Sequence, residues 1–236
     1  MLKLLNLNIW LYNNWEERMP KIADFIKEQK PDIVTLQEVM DDAKYNKYGD
    51  NTATQIARAV GMDNGIFYLS GNLQKESPQW IGDRRARAGE AILSKYPLAK
   101  IVKRKLKKHP DDRHHRGIVM ARVMSKPHID VMVVHFSNNE LFSRLQMEEV
   151  LHYIRRSHIQ PVIVGDFNMY PKDIIQVVPS DYTLSYALKK YVSFPSEGNT
   201  FDYIMIPRSM RFGSLECIDR GLSDHCALVA EILQRA

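Results

Sequence analysis

Residues 2–9, Leu2-Lys3-Leu4-Leu5-Asn6-Leu7-Asn8-Ile9, and residues 33–38, Ile33-Val34-Thr35-Leu36-Gln37-Glu38, bracket the part of the chain that decides its fold. Each is an apolar run of strand length, with a polar side chain at or near its end. Between them Trp15, Met19, Ile22, Phe25 and Ile26 recur at three- and four-residue spacing, the apolar face of a helix. Pro20 fits only the first turn of a helix, so the pattern predicts a start near Arg18, and Lys30-Pro31-Asp32 ends it. Strand, helix and strand in that order make the two strands parallel neighbours.

Working outward, residues 51–60 read as a second helix with Asn51 as its N-cap. Residues 65–69, 86–94, 98–106, 117–124 and 129–136 are strand-like and spaced as a meander of hairpins, which favours antiparallel pairing. Residues 139–156 return to helix, 161–164 form a buried strand, and 201–206 and 226–232 supply two more. With no linker, repeat or low-complexity tract, residues 1–236 read as one α/β domain with mixed sheets and helices outside.

Composition bounds the function classes. The 236 residues carry 33 Lys and Arg against 28 Asp and Glu, a formal charge of +5, and 44% are hydrophobic. That is ample apolar material to offset chain entropy, so disorder is excluded as the main state. No run approaches the roughly 20 apolar residues of a spanning helix. Asn6 and Asn8 interrupt the N-terminal apolar run, which is therefore no secretory signal. Cys217 and Cys226 form neither a CxxC pair nor a disulfide framework, so a reduced, cytoplasmic setting is expected.

The charge is uneven. Residues 82–116 hold 12 Lys and Arg against four acids, a local +8 on a body of −3. Such a segment fits a polyanionic partner, nucleic acid or an anionic membrane surface, and equally a solvated hairpin.

Chemistry gathers where polar residues end or interrupt the apolar strands: Asn8, Glu38, His135, Asp166 with Asn168, Asp202, and Asp224-His225. Singly, each has an ordinary reading as a turn former, a cap or a satisfied structural histidine. Jointly, at the strand ends where α/β enzymes keep their sites, they read as one convergent polar cluster. Hard oxygens from Glu38, Asp224 and the Asn8 amide suit Mg²⁺ or Mn²⁺. Two histidines and an aspartate beside such an ion can move protons near neutral pH, which is the chemistry of phosphate ester hydrolysis.

The motifs Leu7-Asn8-Ile9, Leu36-Gln37-Glu38-Val39, Gly89-Glu90-Ala91-Ile92-Leu93-Ser94, Arg116-Gly117, Val134-His135-Phe136, Gly165-Asp166-Phe167-Asn168, Phe201-Asp202-Tyr203-Ile204 and Ser223-Asp224-His225 follow one another over nearly the whole chain. In this order they resemble the endonuclease/exonuclease/phosphatase superfamily with its DNase I-like fold. The resemblance implies two packed mixed β-sheets flanked by helices, a four-layer sandwich, with a site at one rim. It implies Glu38 as main metal ligand, with Asn8 and Asp224 around one or two Mg²⁺ or Mn²⁺ ions. Asp166 would orient or deprotonate the attacking water or bind a second ion, and Asn168 would hold a phosphate oxygen. His225, steered by Asp202, would act as base or phosphate contact, and His135 would protonate the leaving group or bind phosphate. Arg116 and Glu90 would face the substrate. Glu90 stands where relatives often carry Asn, and is expected either to pair with His135 or to face solvent.

The implied activity is a metal-dependent nuclease cleaving phosphodiesters. The alternatives are a phosphatase or phosphodiesterase of lipid headgroups or inositol phosphates, and a non-catalytic nucleic-acid-binding domain. Residues 193–200 lack the tryptophans of the superfamily's abasic-site endonucleases.

Overall fold

The computed structural model describes residues 1–47 and 49–235. Its first unit forms as the periodicity predicts. Strand β1 (Leu2–Asn8), helix α1 (Trp15–Gln29) and strand β2 (Ile33–Asp42) follow in order. β1 and β2 pair in parallel, with Asn8 opposite Gln37. α1 starts at Trp15, ahead of the expected Arg18, and carries Pro20 inside it. Tertiary anchors explain the early start. Trp15 is buried and its indole donates to Gln55, while the Arg18 guanidinium donates to the carbonyls of Ile9, Trp10, Asn13 and Leu222. Pro20 and Glu16 are exposed, so the carbonyl that the missing N–H would have served can turn to water.

β2 also runs past the predicted end at Leu36, through a register shift between Leu36 and Val39. This bulge puts Glu38 at φ 58° and turns its side chain out of the ladder.

Helix α2 (Thr52–Val60) follows, its N-cap Asn51 accepting from the Thr54 N–H. Next come strand β3 (Asn64–Asn72), the one-turn helices α3 (Leu73–Glu76) and α4 (Pro78–Ile81), and strands β4 (Ala86–Ser94), β5 (Leu98–Lys105), β6 (Gly117–Val123) and β7 (Ile129–His135). Helix α5 (Glu140–Arg156), strand β8 (Val162–Asp166), helix α6 (Pro171–Val177), strand β9 (Tyr182–Leu184), helix α7 (Ser185–Leu188), and strands β10 (Asp202–Pro207), β11 (Met210–Ile218) and β12 (Ala227–Gln234) complete the chain.

The strands divide into two six-stranded sheets, β11-β12-β1-β2-β4-β3 and β5-β6-β7-β8-β10-β9. The expected meander is therefore split. β3–β4 and β5–β6–β7 pair antiparallel, but β4 and β5 lie in different sheets. Both edges of β4 are already taken, by β2 and β3, so β5 does not pair with it and instead forms the edge of the second sheet. β11, at the other edge, escapes the sequence pattern because Gly213 and Ser214 interrupt it at a bulge.

Three apolar clusters define four layers. Leu4, Ile33, Ile92 and Leu228 of the first sheet meet Val119, Val133, Val164 and Ile204 of the second between the sheets. α1 and α2 cover the outer face of the first sheet, and α5 and α6 that of the second. No helix among the described residues is long and apolar enough to cross a membrane.

Candidate active site

The topology brings the predicted polar residues to one rim. β1 and β2 run parallel, as do β7 and β8, so Asn8, Glu38, His135 and Asp166 all lie at or near carboxyl ends. β10 is antiparallel to β8 and β12 to β1, so Asp202 and His225 arrive there at amino ends. Asp166 sits between His135 on β7 and Asp202 on β10, its register partners on either side.

Side-chain geometry makes Asp166 the hub. Asn8 Nδ2 donates to Asp166 Oδ2 at 3.2 Å and to Glu38 Oε1 at 3.4 Å. His135 Nε2 lies 3.4 Å and His225 Nε2 3.8 Å from the same Asp166 oxygen. The backbone N–H of Asn168 donates to Asp166 Oδ1 at 3.0 Å, and the Asn168 amide donates to Phe136 O at 3.0 Å. His225 Nδ1 donates to Asp202 Oδ2 at 2.8 Å. Gly165 makes this packing possible: at φ 143°, a Cβ there would lie 2.0 Å from Val134 O.

Burial and charge set the protonation states. Burial raises the Asp166 carboxyl, and although His225 pulls the other way, the group stands at about 7. Burial disfavours the His225 imidazolium, but Asp202 more than offsets this and holds it at about 10. Burial and the nearby Arg116 charge push His135 well below the usual imidazole range. Glu38 is raised by burial and then by Asp224, which His225, Arg116 and the Asn8 amide only partly counter.

Among the described residues no three His, Cys, Asp or Glu side chains gather closely enough to cage an ion. The donor set still fits a hard cation of the Mg²⁺ type, which keeps several waters and takes one or two protein carboxylates. Glu38 and Asp224 repel each other across the cleft, and a cation between them would relieve that repulsion. The Asn8 oxygen accepts from the Trp10 N–H at 3.1 Å, so here Asn8 ties Glu38 to Asp166 through its nitrogen.

Beside the hub opens a cavity of about 340 Å³ whose lining includes Glu38, Glu90, Arg116 and His135. Glu90 departs from both expectations. It is 1% exposed, and its Oε2 has no hydrogen-bond partner. Burial raises it well above the usual carboxylate range, with only the Arg116 charge notably opposing.

The basic segment is not a continuous cationic face. Arg84 pairs with Asp42 at 3.2 Å, Arg85 and Arg87 with Asp41 at 3.7 and 3.2 Å, Lys95 with Asp32 at 3.6 Å and Arg104 with Glu149 at 3.6 Å. Lys103 and Lys105 stand exposed on the edge strand β5, where charge discourages strand addition. Arg113 and Arg116 turn into the cavity.

Sequence reasoning missed the cavity's outer wall, formed by α3 and α4. Glu76 clamps it, accepting from His114 Nδ1 at 3.3 Å and His115 Nδ1 at 2.6 Å. The one available signal was His114-His115 directly before the Arg116-Gly117 motif.

Residues 5–225 match the model of the Endonuclease/Exonuclease/phosphatase family, and the chain belongs to that family. No curated protein sequence matches it. Solved structures share the fold at low identity. An endonuclease/exonuclease/phosphatase from Beutenbergia cavernae DSM 12333 is 18% identical with TM-score 0.77, over 99% of this chain and 71% of that one. The human Nocturnin catalytic domain with bound sulfate is also 18% identical with TM-score 0.77, over 99% and 93%. The mannosyl-6-phosphatase of Bacteroides thetaiotaomicron VPI-5482 is 15% identical with TM-score 0.69, over 99% and 100%. Members of the family hydrolyse phosphate esters, and this chain has their fold of two mixed sheets between helices.

Proposed function

We propose that the chain is a Mg²⁺- or Mn²⁺-dependent phosphodiesterase that cleaves nucleic acid by in-line attack of water. The observation that carries this reading is the Asp166 carboxylate held within 3.8 Å of two histidines of opposite protonation preference. A cation held by Glu38 and Asp224 supplies charge neutralisation at the phosphate.

This chain's residues divide the remaining work. Asp166, poised at about 7, takes the proton of the attacking water, which suits a general base operating near neutral pH. His225 stays charged through its bond to Asp202 and contacts a phosphate oxygen rather than acting as the base. His135 stays neutral and binds the phosphate or leaving oxygen through its ring nitrogen. Arg116 adds a second positive charge on the cavity side.

A substrate panel of single- and double-stranded DNA and RNA, nucleotides, hexose phosphates, inositol phosphates and phospholipids tests the reading. Cleavage of nucleic acid is expected in Mg²⁺ or Mn²⁺ and lost in EDTA. Glu38→Gln is expected to lower kcat by about 10³-fold or more, a loss of the order seen for one electrostatic group. Turnover confined to phospholipid or inositol phosphate, or unaffected by EDTA and by Glu38→Gln, refutes it.

A further inference from the structure

The cavity beside the hub is built for more than a phosphate. Its floor is Glu90 and Arg116, and its walls include Leu11, Met40, Ile81 and Trp80. Trp80, on α4, is 71% exposed, and the Arg113 guanidinium stands 5.2 Å from its ring centroid. An exposed aromatic of this kind offers a face on which a flat ring can stack. The α3–α4 wall is also tied to the segment before β6. Glu76 takes both histidine bonds from one side, and its backbone carbonyl accepts from Arg113 Nε at 3.3 Å.

The floor carries two unused polar atoms: Glu90 Oε2, an acceptor when ionised and a donor in the protonated form that burial favours, and Arg116 Nε–H, a donor, are buried and have no hydrogen-bond partner. An unpaired buried polar group is costly, so a ligand that reaches and satisfies both gains by entering. The complement is a flat ring whose edge offers an acceptor to Arg116 and a donor or a second acceptor to Glu90, flanked by apolar faces. Every nucleobase has such an edge. A hexose has the hydroxyls without the flat apolar faces, and an alkyl chain has neither donor nor acceptor.

We infer that this cavity is a base-binding subsite for one unpaired nucleotide, seated on Trp80 and read at its edge by Glu90 and Arg116. This deepens the nuclease reading and rests on it: the phosphate lies at the Asp166 hub and the adjoining base enters the cavity. At about 340 Å³ the space is that of a small-ligand site and takes one base with its sugar. A base inside a duplex reaches it only by leaving the stack, so single strands and chain ends are the favoured substrates.

Nucleosides, which carry no phosphate, probe the subsite apart from hydrolysis. Titration of the wild-type protein with adenosine, guanosine, cytidine and uridine is expected to quench tryptophan fluorescence. Trp80→Phe removes that quench, and the same quench persists in Glu38→Gln, where hydrolysis is lost. Calorimetric affinity for nucleoside monophosphates in Mg²⁺ is expected to exceed that for mannose 6-phosphate and butyl phosphate by at least about tenfold. Glu90→Leu collapses this ratio toward one, while the isosteric Glu90→Gln retains most of it and guards against misfolding, checked by circular dichroism. Single-stranded DNA is expected to be cut at least about tenfold faster than the same sequence as duplex. The inference is overturned by equal affinity for nucleoside, hexose and alkyl phosphates, or by a nucleoside quench that survives Trp80→Phe. Preferential butyl phosphate binding assigns the cavity to an apolar chain instead. Loss of all phosphoesterase activity with nucleoside binding intact refutes the nuclease reading and leaves the subsite standing.

Discussion

His225 and His135 approach the same oxygen of Asp166 from opposite sides of the cleft, at 3.8 and 3.4 Å. They are equally sheltered, at 8% and 6% exposure. Yet Asp202, Asp166 and Asp224 hold His225 charged to about pH 10, while burial, Arg116 and the other histidines around His135 keep it neutral. Burial disfavours the imidazolium at both, so the neighbours decide. The β10–β12 side of the cleft is acid-rich and stabilises one positive ring. The β4–β6 side is cation-rich and presents a neutral ring beside the cavity. An active site can thus derive two functions from one residue type by placing a fixed carboxylate behind one copy and a guanidinium near the other.

The largest effect is expected at the residue the two sides share. Asp166→Asn removes the oxygen both histidines face and is expected to lower kcat by about 10³-fold, within the range attributed to a positioned base. A steady-state rate within threefold of wild type would remove Asp166 from the chemistry. Next comes the asymmetry itself. Asp202→Asn leaves the His225 ring in place without its counter-charge, and kcat is expected to fall by about 10²-fold or more. Nitrogen-15 shifts of the imidazoles provide the direct check. In wild type His225 reads as imidazolium at pH 7 and His135 as neutral, and in the variant both read as neutral. A charged His225 in Asp202→Asn would show that the carboxylate is not the cause.

A stability measurement sharpens the same contrast. The folded state keeps the His225 proton to about 10, whereas an ordinary imidazole releases it near 6.5. The resulting stabilisation is complete below 6.5 and is lost as pH rises toward 10, at a limiting slope of about 1.4 kcal/mol per pH unit for one proton. Urea unfolding of wild type and His225→Asn from about pH 6 to about pH 10 should show the gap closing with rising pH. A constant gap contradicts the assignment. The smallest effect is expected at the cavity wall. Burial raises Glu76, but hydrogen bonds from His114, the Asn72 backbone and His115 outweigh it and bring the group to about 2. Its contribution is therefore present above about 4.5 and is lost as pH falls toward 2. Thermal unfolding in acid should drop less steeply for Glu76→Gln than for wild type, and identical acid limbs would show the clamp to be unimportant.

Much of the site was legible because strand-end chemistry is a local signal. An apolar run that stops at Asn8, Glu38, His135 or Asp166 announces a polar rim without any knowledge of strand order. Glu90 was legible as a motif position but not in its state, because its burial depends on β2, β3 and the α3–α4 wall closing around it. The basic segment was legible in its charge but not in its pairing. Its charges are real, but the partners of five of them, Asp32, Asp41, Asp42 and Glu149, lie 42 to 63 residues away along the chain, and only folding matches them.

Alone, the sequence determined the strand–helix–strand opening, the family motifs in their order, and which side chains could do phosphate ester chemistry, since each follows from side-chain type and short-range spacing. Tertiary structure decided the split of the strands between two sheets, the opposed protonation of His225 and His135, and the cavity walled by Trp80 and floored by Glu90. Those depend on which charges and apolar faces meet across long stretches of chain, and both burial and Coulomb interaction act through space rather than along the backbone.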